Sequence, residues 1–177
     1  ASPEWSWLVS AGIGRSSALE SMGSNNVVGA LRTTPNPEKD KSHSLLGRLV
    51  YTPSAVQKHV FTLENVDKRA DFDLLSARTA TVTDSRAQTT MKRWRASWQG
   101  EWRELNTTLA DEIKLMASYQ SSDSREFVTE TRTPPLAYRE RDVTYDEDAL
   151  QLHAQAGKTL RWSNGLSVKF SYGMDYL

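Results

Sequence analysis

The chain has 177 residues, enough for one ordinary domain, and its 22 Lys and Arg balance 22 Asp and Glu, so no net charge draws it to nucleic acid. Cysteine is absent, which excludes disulfides and thiolate metal sites. No run of about 18 apolar residues exists, which excludes a transmembrane helix but not a transmembrane barrel, whose strands turn half their residues to the lumen.

The opening residues, Ala1 to Gly12, carry no basic segment and no cleavage-type segment, so they do not read as a signal peptide. The chain starts and stops in strand-like sequence, which reads as a piece of a longer protein. A first strand is expected from Trp5 to Ile13, with Trp5, Trp7, Val9, Ala11 and Ile13 on one face and Ser6, Leu8, Ser10 and Gly12 on the other. From Met22 to His43 the composition turns loop-like, with Gly23-Ser24-Asn25-Asn26 and Pro35-Asn36-Pro37. A second strand, Ser44 to Thr52, alternates Leu45, Gly47, Leu49 and Tyr51 with Leu46, Arg48 and Val50. After a short turn at Pro53 and Ser54, a third runs from His59 to Asn65, followed by a long polar connection from Asp67 to about Thr89.

Met91 to Gln120 reads as two long strands joined by a polar turn. Lys92, Trp94, Ala96, Trp98 and Trp102 share one parity; Ile113, Leu115, Ala117 and Tyr119 alternate with polar residues in the second strand. Trp94 and Trp102 are separated by roughly 26 Å of strand at ~3.3 Å per residue. A tilt of about 40° projects that to roughly 20 Å, near the ~25 Å apolar band of an outer-membrane barrel with its aromatic girdles. Another long polar segment, Ser121 to Arg141, precedes a sixth strand at Leu150 to Ala156. A turn at Asn164-Gly165 then leads to a seventh, Val168 to Tyr176. Long and short connections alternate, which places long loops on one rim and tight turns on the other. The expected fold is all-β: an antiparallel up-and-down transmembrane barrel segment of about seven strands, with residues 1–177 forming part of one barrel domain.

Chemical motifs are sparse. His43, His59 and His153 have no second ligand at metal-site spacing, and the two strand histidines, His59 and His153, read as polar lumen or interface residues. His43, at the end of the first long loop, is the one candidate ligand-binding residue. Asp146, Glu147 and Asp148 lack the spacing and glycine of a calcium loop. Lys92, Arg93 and Arg95 could meet an anion or pair with neighbouring carboxylates. No GxSxG motif or dinucleotide fingerprint is present, and nothing supports an enzyme.

Arg32-Thr33-Thr34-Pro35-Asn36-Pro37, then Ser44 to Pro53 and Val60-Phe61-Thr62-Leu63-Glu64, resemble the early barrel of TonB-dependent haem or haemoglobin receptors. Thr144 to Asp148 and Phe170 to Tyr176 resemble a later hairpin of the same receptors. The resemblance implies an outer-membrane barrel of about 22 strands closed by a plug. That barrel would import haem, free or from haemoglobin, with TonB contacted through a plug that this sequence does not contain. Ferric siderophore import on the same architecture, or a soluble lipocalin-like ligand barrel, are the alternative expectations.

Overall fold

The computed structural model describes residues 4–18, 23–163 and 165–177. These form β1 (Trp5–Ser17), β2 (Glu38–Ser54), β3 (Gln57–Asp73), β4 (Val82–Trp102), β5 (Glu112–Arg132), β6 (Ala137–Arg161) and β7 (Ser167–Tyr176). A short 3-10 turn at Leu75–Ala77 lies between β3 and β4. All seven strands join one sheet in the order β1-β2-β3-β4-β5-β6-β7, each antiparallel to its sequence neighbours. The chain is therefore an all-β, up-and-down sheet, as the alternation predicts. It is not closed: β1 and β7 each pair on one side only.

Strand order agrees with the sequence reading, but strand length does not. β4 and β5 run 21 residues each and β6 runs 25, whereas strands in globular proteins usually run about 3–10. The polar segments expected as long loops from Asp67 and from Ser121 are mostly continued ladder. β3 extends to Asp73 before β4 starts at Val82, and β5 extends to Arg132 before β6 starts at Ala137. Only the connection from β1 to β2 is a long loop on this rim, and Met22 at its expected start lies outside the described residues. The opposite rim carries residues 55–56, 103–111 and 162–166, so the β4–β5 turn is longer than expected. Asn164 in the last turn lies outside the described residues, while Gly165 has a φ of +83°, a left-handed conformation that favours glycine. The two rims thus differ in how far strands overrun rather than in loop length. A segment that is polar on both faces loses its period-two signal, yet the ladder needs only backbone N–H and C=O groups.

Loops at the extended rim hold one another. Gly29 N donates to Leu75 O at 2.9 Å, and the Asn36 amide both donates to Ser76 Oγ and accepts from Ser76 N. Arg78 bridges Asp73 and Asp84 at 2.5 and 2.6 Å. Elsewhere very little is buried: among the described residues the only buried apolar side chains are Val60 and Ala110. A single sheet has no second layer to cover its apolar face.

Candidate functional site

The register brings that apolar face together. One row runs Trp7, Leu49, Phe61, Trp98, Ala117, Leu152 and Tyr176, through all seven strands. Rows on either side add Leu45, Leu63, Leu115, Leu150 and Met174, and most of these side chains are exposed; Trp7 reaches 73 % and Met174 72 %. Aromatic rings mark both limits of the band. Near one limit Trp5 stacks on Tyr51 at 4.2 Å, and His59 lies parallel to Trp98 at 6.1 Å and edge-on to Trp102 at 5.3 Å. Near the other, Trp94 packs against Tyr119 at 5.1 Å. Paired rings of this kind contribute about 0.5–1.5 kcal/mol beyond their area.

The limits of the band do not follow the register. Toward the extended rim the last apolar residue is Ile13 on β1 and Leu150 on β6. Ile13 lies opposite His43, whereas the row of Leu150 passes through Tyr119, Ala96 and Leu63 to Gly47. Between β1 and β6 this limit has moved from position 43 to position 47 of β2. Over the five strand steps from β1 to β6 this limit therefore drifts four residues. At the other limit the row of Trp5, the first residue of β1, passes through Tyr51, His59, Gly100 and Leu115 to Ala154, while the apolar run of β6 ends two residues on at Ala156, before Lys158 on the same face. With ~3.3 Å of rise for each ~4.8 Å of strand spacing, the two drifts incline the band by roughly 15–30°. Closed membrane barrels tilt their strands by about 35–45°.

The opposite face is mostly polar along the same stretch, with Leu8, Leu46, Val50 and Val60 among its apolar members on β1 to β3. Arg95 stands opposite Glu64 and Gln120, and Ser97 opposite Thr62 and Ser118. Ser118 is buried and shares a hydrogen bond with Gln151 at 3.3 Å. His153 Nδ1 lies 2.5 Å from Asp175 Oδ1 on this face. The basic trio expected as one cluster is split: Arg93 and Arg95 belong to the polar face, and Lys92 to the apolar one, opposite Asp67 and Asp123. The even alternation of Lys92 with Trp94 already carried that division.

His43 is placed differently from its expected loop end. It lies inside β2, between Ile13 and Asp67 in register, on the same face as Leu45, and its side chain is exposed. His59 belongs to the aromatic limit of the apolar face rather than to the polar one. Among the described residues no group of three His, Cys, Asp or Glu could hold a metal ion.

Past the band the apolar face becomes charged, in a collar that sequence reasoning assigned to loops. Asp67, Arg69 and Asp71 keep the parity of Leu63, which is the signal that could have revealed it. Arg69 Nε and Nη2 fork onto Asp71 at 2.9–3.0 Å, and that hydrogen bond holds the Asp71 carboxyl below its usual range. Arg125 does the same to Asp142 at 2.7 and 2.6 Å. Asp146 departs upward, because it contacts the Asp123 carboxyl directly across the ladder.

No helix of the described residues is long and apolar enough to cross a membrane. No family model matches the chain, and no curated protein matches it.

Proposed function

We propose that these seven strands are part of a bacterial outer-membrane β-barrel, with the apolar face against lipid and the polar face toward the lumen. The observation that carries this reading is the diagonal course of the apolar band. A band laid flat in a membrane must cut obliquely across the rows of tilted strands, and the band here does so, at a slope somewhat shallower than the ~35–45° tilt of closed barrels. Strands of 21 and 25 residues support the same reading, since they cross a ~25 Å band with length to spare. A lipocalin-like soluble barrel would use far shorter strands. The open edges at β1 and β7 require further strands for closure.

Within that class, the residues that resemble TonB-dependent haem or haemoglobin receptors favour active import of haem, driven through a plug and TonB. On this reading His43 faces the lipid headgroups rather than the lumen, so it is not offered as a haem ligand.

Two measurements separate the layers of the proposal. In bilayers of brominated phosphatidylcholine, the tryptophans of the band should be strongly quenched; unquenched Trp98 would overturn the lipid-facing assignment. Haem titrated into the full-length receptor should give a saturable Soret shift, with a ferric siderophore as the control. Siderophore binding without a shift would keep the barrel and discard haem as cargo.

A further inference from the structure

The charged collar is basic on β1 and β2, mixed on β3 and β4, where Asp67 faces Lys92, and acidic on β5 and β6. On β5 and β6, the first charged residues past Tyr119 and Leu150 on the apolar face are Asp123 and Asp148. On β1 and β2, Arg15 follows Ile13, and Lys41 follows His43. Arg15 and Lys41 lie directly opposite each other, and Arg69 stands on the other side of Lys41. Like charges directly opposite destabilise an isolated sheet. Arg69 is neutralised by its fork onto Asp71, but among the described residues neither Arg15 nor Lys41 forms a salt bridge, and both are exposed. Within the described chain only the Asp71 carboxylate, already forked by Arg69, also draws Lys41, so one carboxylate answers three cations and an external anion would supply the rest.

The position of the pair identifies that anion. Arg15 lies two residues past the last apolar residue of its strand and Lys41 four past Leu45, roughly 5 and 10 Å along the membrane normal at barrel tilt. A headgroup layer is about 5–8 Å thick, and Arg and Lys stems lie back along apolar surface while their charged ends stay wet. We propose, on the reading of the apolar face as lipid-facing, that Arg15 and Lys41 bind the phosphate of anionic lipid headgroups in the leaflet beside the extended rim. The acidic collar of β5 and β6 excludes the same lipids from its side.

The test uses the full-length protein in phosphatidylcholine bilayers, with brominated chains carried either by phosphatidylcholine or by phosphatidic acid at equal mole fraction. Trp94 is the reporter, isolated by difference from Trp94→Phe. Brominated phosphatidic acid should occupy the collar about three- to tenfold more readily than phosphatidylcholine, given the attraction of roughly one Lys or Arg per anionic contact. Arg15→Glu with Lys41→Glu should bring that ratio to about one, leaving quenching by brominated phosphatidylcholine unchanged as the check on folding. Lys68→Glu, which lies on the polar face opposite Ser42 and Met91, should leave the preference intact. No preference in the parent protein, or an undiminished one in the double variant, overturns the headgroup site. Absence of quenching by brominated phosphatidylcholine itself would overturn the membrane reading instead.

Discussion

Along β5, residues 112–120 and 121–132 belong to one unbroken ladder, yet the two halves are held in place by different forces. The first half presents Ile113, Leu115 and Ala117, half-buried between neighbouring strands, and the exposed Tyr119, with no second layer over them. The second presents Ser121, Asp123 and Arg125, and binds its neighbours through side-chain ion pairs as well as backbone. A ladder can therefore continue across a change of solvent, provided that the side chains change with it. The backbone hydrogen bonds are indifferent to what surrounds them only because each is satisfied by the adjacent strand.

The strongest way to break this comparison is a charge in the middle of the band. Leu115→Arg should cost ~2–4 kcal/mol of stability in bilayers, measured by reversible unfolding, if the residue sits near the midplane. The matching change in the extended half of β5, Thr131→Arg, opposite Asp84 and Tyr138, should lie within about 0.5 kcal/mol of the parent. Equal costs would mean that both halves share one environment.

Gly100→Ala sharpens the account of the aromatic limit. A Cβ there would stand 2.5 Å from Trp102 Cη2 and 2.8 Å from Trp98 Cζ2, so both rings must shift. Overpacking of this kind costs about 1–3 kcal/mol, and the His59 and Trp98 stacking should loosen, seen as a change in near-ultraviolet dichroism. An unchanged spectrum would mean that the rings are free to move aside.

Acid should act on the charged ends of the strands and spare the band between them, since Asp111 and Glu112 at the opposite rim are likewise held low by Lys158 and Lys169. Asp71 and Asp142 are held below the usual carboxylate range by Arg69 and Arg125. A carboxyl depressed on folding contributes stability above its ordinary pKa and loses it as the pH falls through the depressed value. Asp146 has the opposite sign: raised by Asp123, it gains a proton first, which relieves repulsion before the pairs with arginine break. Amide exchange around residues 68–72 and 140–144 should therefore quicken only below the ordinary carboxylate range, with the band unaffected. A uniform response along the strands would remove the distinction between the halves.

Period two in Trp94, Trp98 and Trp102, and in Leu45, Leu49 and Tyr51, was sufficient to locate strands and assign their faces, because burial of one face imprints itself directly on alternate residues. The extended parts of β3, β5 and β6 escaped notice because water on both sides selects no alternation. His43 was misplaced for the same reason: Lys39, Lys41 and Ser42 look like a loop when only hydropathy is read.

The sequence by itself determined the all-β class, the up-and-down order and the two faces of each strand, since these depend on local periodicity and on the absence of any helical pattern in the connections. Only the tertiary structure decided the register, and with it the oblique band, the division of Lys92 from Arg93 and Arg95, and the meeting of Arg15 with Lys41. Those features join residues from different strands, and the relative shift of two strands is set by their whole ladder rather than by either segment alone.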